Sequence, residues 1–147
     1  MAKPTPRYDI NRNHKAIGEY SEAVIKAKLI EIGYGVYKPF GDNLRYDLVI
    51  EDADGKFWRI QCKTGWLDEK KAVIKFATAS SYNCTMKNKV WRHYRGQCDY
   101  FAVYCFETGG VYLISVDEVG VTQTMLRLVP TANNQEKGVR WARDYEI

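Results

Sequence analysis

Residues 70–97 contain no aspartate or glutamate, yet they carry seven bases: Lys70, Lys71, Lys75, Lys87, Lys89, Arg92 and Arg95. The formal net charge of the whole chain is only +4, so a local +7 leaves −3 for the remainder. Phe76, Tyr82, Trp91 and Tyr94 are interleaved with these bases. Such a segment suits a polyanion surface more than a merely solvated face. Histidine is also scarce, with His14 and His93 alone, and none of the cysteines Cys62, Cys84, Cys98 and Cys105 forms a C-x-x-C pair. A structural zinc site is therefore not expected. Reduced thiols in a cytoplasmic protein are expected instead. No apolar run reaches the length of a membrane span and no apolar stretch marks the N-terminus, so neither a spanning helix nor a signal peptide is expected.

What remains is an ordinary globular composition, 46% hydrophobic and 27% charged over 147 residues, enough for one domain with its own core. Residues 1–13 read as a loose arm and 117–147 as a C-terminal extension of that single domain. Asn13 is a suitable N-cap for a helix over 14–32, with Ile17, Tyr20, Val24, Ile25, Leu29 and Ile32 forming a broad apolar face and Gly33 closing it. Strands are expected at 36–38, 44–50, 57–64 and 72–78, with Gly65 ending the third of these. Val90, Trp91 and Tyr94 stand at helical spacing and predict a short helix within 80–95. The run at 99–106, DYFAVYCF, reads as a buried central strand, followed by strands at 111–116 and 126–129. Val139, Trp141 and Tyr145 are candidates to dock the tail. The order predicts a mixed α/β layout around a central sheet.

The chemistry concentrates in RYDLVIEDADGKFWRIQCKT, residues 45–64. Asp54-Gly55 is a hairpin turn signal between two strand-like runs. In the second run Trp58, Ile60 and Cys62 alternate with Arg59, Gln61 and Lys63, so Gln61 and Lys63 share a face about 7 Å apart. A hairpin brings Asp47 beside that pair. An acid, an amide and an amine at one sheet surface are the material of a metal-assisted phosphodiester cleavage site: a hard oxygen ligand, a second donor, and a cation to offset charge building on the phosphate.

Glu19 on the first helix, Asp47, and Gln61-Cys62-Lys63, in that order, resemble the PD-(D/E)XK nuclease superfamily. The surrounding GEYSEAVIKAKLIEIGYGVYKPFGDNLRYDLVI, IQCKTG, CDYFAVYCF and GGVYLISV are similar to the branch that holds a group I intron-encoded homing endonuclease and, more distantly, archaeal Holliday-junction resolvases. Two positions depart from the superfamily pattern: Tyr46 replaces the proline, and Gln61 replaces an acid, the second being a feature of the homing branch. The resemblance implies a restriction-endonuclease-like α/β core in αβββαβ order. It implies Mg²⁺ (or Mn²⁺) held by Asp47, Glu19, Gln61 and the Cys62 backbone carbonyl, with Lys63 near the attacking water. Arg59 and the seven bases of 70–97 become candidate contacts to double-stranded DNA. Cutting both strands in concert needs two sites, so a homodimer or homotetramer is expected. The alternatives are a Holliday-junction or repair nuclease of the same fold, and a DNA-binding module that has lost catalysis.

Overall fold

A computed structural model describes residues 1–85 and 88–147, with side chains described outside 82–89. One α-helix, α1 (His14–Glu31), begins where Asn13 Oδ1 accepts from the Ala16 amide. It ends before Gly33, whose φ of +102° suits a residue without a Cβ. Its inward face is Ala16, Ile17, Ser21, Ile25 and Leu29. Ile25 and Leu29 are fully buried, each contributing about 1.5–3 kcal/mol of apolar burial. Tyr20 and Ile32, expected in that stripe, flank it and stay exposed.

The helix packs on a seven-stranded mixed sheet. Strands β1 (Gly35–Tyr37), β2 (Leu48–Glu51) and β3 (Phe57–Leu67) run antiparallel in succession. Strand β3 also pairs in parallel with β7 (Tyr100–Cys105), which pairs antiparallel with β8 (Val111–Ser115). Beyond its contact with β2, β3 pairs with β4 (Val73–Ala77), which pairs with β9 (Gln123–Arg127). One side of the sheet, with α1 over it, buries Leu48, Ile50, Ile60, Ala102, Tyr104 and Val111. The other buries Ile74, Phe76, Tyr94, Phe101, Val103, Tyr112, Ile114 and Leu126, with Tyr145 of the tail packed against them. Alternation along β7 feeds both cores, so the apolar run there is central as expected. No helix of the described residues is long and apolar enough to cross a membrane.

Three expectations are corrected. The described residues of 80–95 hold no helix: β5 (Ala79–Thr85) and β6 (Asn88–His93) form a separate antiparallel hairpin, paired from Ala79↔His93 to Thr85↔Asn88 with a shift of register between Asn83 and Thr85. Val90 and Trp91 are exposed while Tyr94, beyond the strand, is buried, so their spacing did not mark one buried face. The αβββαβ order therefore lacks its second helix among the described residues. Gly65 does not end β3 but lies buried inside it. A Cβ there would meet Ile74 Cγ2 at 2.7 Å and Val103 Cγ1 at 2.9 Å, so glycine is what lets the strands on either side close over it. The run expected at 44–50 enters the sheet only at Leu48, which leaves Arg45, Tyr46 and Asp47 in the approach to β2.

Candidate active site

The site forms where β2 and β3 part. The last register pair is Leu48↔Ile60, and the Asp47 amide still donates to the Ile60 carbonyl at 2.8 Å. One step further the strand partner is a side chain. Asp47 Oδ2 accepts from the Cys62 amide at 2.8 Å and from Gln61 Nε2 at 2.6 Å. The Cys62 carbonyl points the same way, toward a strand that is no longer there, and meets only Gln61 Nε2 at 3.5 Å. Gln61 and Lys63 pair in register with Phe101 and Val103 of β7 and share one side of the sheet, as the alternation predicts. Lys63 Nζ meets the Tyr94 hydroxyl at 3.2 Å and stands 4.7 Å from the centre of that ring.

Burial pushes the Asp47 carboxyl above its ordinary range, against the Cys62 amide, which holds it down; the Glu22 charge raises it further, and Lys63 and Lys38 oppose. Cys62 lies on the helix side of β3, where desolvation keeps its thiol protonated well above the usual value. The helix acid whose charge reaches Asp47 is thus Glu22, not Glu19. Glu22 is ion-paired with Lys38 and lines the same cleft as Asp47, Tyr46 and Leu44. Glu19 lies one turn earlier, exposed, in a shallow groove that it shares with Glu22, Ala23, Lys26 and Lys38. Its sequence signal was ordinary, since YSEAV offers a second glutamate three residues on, on the same side of the helix; position along the helix axis separates the two, Glu22 standing level with the cleft of Asp47.

The candidate phosphate contacts divide. Arg59 is turned away from the cluster: Nη2 and Nε bond the Asp99 carboxylate at 2.9 and 3.1 Å, and Nη1 bonds the Gly96 carbonyl at 3.2 Å. It is a strut between β3 and the approach to β7. Lys70, Lys71, Lys75 and Arg92 are exposed. Arg95 is exposed but spends one nitrogen on the Val119 carbonyl. Lys87 lies outside the described residues, as does the side chain of Lys89. The fold also brings Arg45, Lys38 and Glu22 to this corner, none of them marked as a site residue by the sequence, together with Tyr94, which the sequence placed only among the aromatics of the basic segment.

No group of three His, Cys, Asp or Glu residues converges among the described residues. Both hydrogen bonds to Asp47 fall on Oδ2, which leaves Oδ1 open toward the cleft it shares with Glu22; Gln61 presents its nitrogen to Asp47 and to the Cys62 carbonyl, so its oxygen would join Oδ1, that carbonyl and the Glu22 carboxylate as an oxygen donor only with the amide turned over. That chemistry fits a hard divalent cation.

The sheet strands diverge beside a carboxylate, an amide and a lysine, with a helix carrying an acid close by. Residues 12–147 match the PD-(D/E)XK endonuclease family, and the chain belongs to it. Its architecture is the restriction-endonuclease-like α/β class, with a central mixed sheet, and its family is one of nucleases. Among solved structures it is similar to a bacterial homing endonuclease, I-Ssp6803I, at 28% identity over 91% of this chain and 88% of that one, with a TM-score of 0.72. No curated protein matches the chain.

Proposed function

We propose that this chain is a Mg²⁺-dependent, site-specific double-strand DNA endonuclease of the homing type. The observation that carries the reading is the meeting of Asp47, Gln61 and the Cys62 carbonyl, which has no strand partner, beside Lys63, where β3 has parted from β2. The similarity to a homing endonuclease supports the finer assignment. A divalent cation held by Asp47, Glu22, Gln61 and the Cys62 carbonyl, with Glu19 one turn away on the same helix, supplies Lewis-acid polarisation of the scissile phosphate. Lys63 presents an ammonium where negative charge develops, and Asp47 keeps Gln61 and the β3 backbone in register with it. Hydrolysis adds water across the P–O3′ bond, leaving a 5′-phosphate and a 3′-hydroxyl. Lys70, Lys71, Lys75 and Arg92 supply sequence-independent grip on the backbone. One such site cuts one strand, so the working enzyme is a dimer or tetramer. The free thiols of Cys62, Cys98 and Cys105 support a reducing, cytoplasmic setting.

The test is cleavage of plasmid, linear duplex and a four-way junction with Mg²⁺ and with EDTA. Duplex cutting that requires the metal is expected. Lys63→Ala is expected to lower the rate by roughly 100-fold or more while leaving DNA retention in a gel intact. Cutting of the junction alone would make the protein a resolvase. Binding without cutting under any divalent ion would make it a recognition module.

A further inference from the structure

Among the described residues no carboxylate forms an ion pair with Lys63. Its ammonium is held by a neutral partner, the Tyr94 phenol, through both the hydroxyl and the ring face. A lysine side chain has four rotatable carbons and loses considerable entropy when fixed. A carboxylate would fix it but would also cancel its charge. A phenol fixes it and leaves the full positive charge for a phosphate.

Tyr94 is itself rigid. It is only 6% exposed and stands edge-on to Phe101, with ring centres 5.5 Å apart and planes at 84°. Its carbonyl accepts from the amides of Gln97 and Cys98, which pins the turn after β6. The Arg45 guanidinium stands 4.1 Å from the same ring centre. Arg45 also bonds Ser80 Oγ on β5 and the carbonyls of Arg92 and His93 on β6. One arginine, two positions before Asp47, thus joins the approach to the metal-type cluster, the foot of the β5–β6 hairpin and the ring that carries Lys63.

The geometry points to Tyr94 as the positioning residue of Lys63, with Arg45 fastening it to the basic β5–β6 hairpin. The inference deepens the nuclease reading and rests on it for its kinetic consequence alone. Tyr94→Phe keeps the ring and its packing and removes only the hydroxyl. At saturating duplex with Mg²⁺ the single-turnover cleavage rate is expected to fall between about 10- and 100-fold, the cost of a mislaid catalytic group. The duplex dissociation constant measured in EDTA is expected to stay within about twofold, since no phosphate contact is touched. An unchanged rate, or a rate loss matched by an equal loss of affinity, overturns the assignment.

A second readout needs no cleavage. In protein carrying ¹³Cε-labelled lysine, the Lys63 ε-methylene resonance is expected upfield of the exposed Lys70, Lys71 and Lys75 because of the Tyr94 ring; Lys56, whose ammonium stands 3.7 Å from the Trp58 ring centre, is expected upfield as well and is assigned by its own substitution. The shift should shrink in Tyr94→Phe, where the hydroxyl bond is lost, and vanish in Tyr94→Leu. A Lys63 signal at the common position in the wild-type protein overturns the positioning role even if DNA is cut. An upfield signal in a protein that cuts nothing supports the contact and sinks only the nuclease reading.

Discussion

Strand β2 has an aspartate at each end, and the two do opposite things. Asp52, after the strand, accepts from the amides of Asp54 and Lys56 at 2.9 and 3.0 Å and from Trp58 Nε1 at 2.8 Å. Those bonds, the Trp58 one foremost, hold its carboxyl below the ordinary range. All its partners lie within six residues, in its own turn. Asp47, before the strand, draws its partners from 14 and 15 residues away, and burial outweighs what they return. An acid whose charge is fully met by its neighbours is a structural fastening. An acid taken from water and only partly repaid retains the capacity to bind a cation. The difference between the ends of one four-residue strand separates a turn from a site.

The sharpest way to break this comparison is to neutralise each acid. Asp47→Asn keeps an oxygen for the Cys62 amide and removes the charge. Cleavage is expected to fall by roughly 100- to 1,000-fold, with melting at neutral pH no lower than in the parent. Asp52→Asn is expected to cut DNA normally and to melt about 3 °C lower, because it weakens bonds that close the hairpin. Equal loss of activity in both would erase the distinction. Next in size is the choice of helix acid. Glu22→Gln is expected to slow cleavage by about 10- to 100-fold, as loss of a supporting ligand does, and Glu19→Gln by less than about twofold. The reverse order would restore Glu19 to the site.

The smallest effect is in stability against pH, where the two acids have opposite signs. Asp47 is raised in the fold, so its contribution is complete below about pH 4, the ordinary carboxylate value, and is lost as pH rises through the higher folded value. Asp52 is lowered, so its contribution is present above about pH 4 and is lost as pH falls through the lower folded value. Thermal melts should therefore show the parent below Asp47→Asn near neutrality and level with it in acid. The parent should stand above Asp52→Asn near neutrality and converge on it in acid. Parallel pH curves for the two pairs would contradict the assigned signs.

Much of this was legible locally. Asn13 capping α1, Asp54-Gly55 turning the hairpin, and the alternation that sets Gln61 beside Lys63 are properties of neighbours along the chain. The apolar run of β7 was equally plain, because a strand buried on both sides has no polar residues to alternate with. The β5–β6 hairpin was not, since pairing of Ala79 with His93 has no local signature and the aromatic spacing mimicked a helix. Arg59 looked like a phosphate contact until Asp99, forty residues on, was folded against it.

The amino-acid order by itself determined which strand carries the amide and the lysine, which acid stands across from them, and which family the chain belongs to. Local periodicity and turn chemistry suffice for those. Only the tertiary structure decided that Glu22 rather than Glu19 faces Asp47, that the Cys62 carbonyl loses its strand partner, and that a tyrosine from beyond the hairpin holds Lys63. Each depends on where separate elements diverge or cross, and packing sets that, not spacing along the chain.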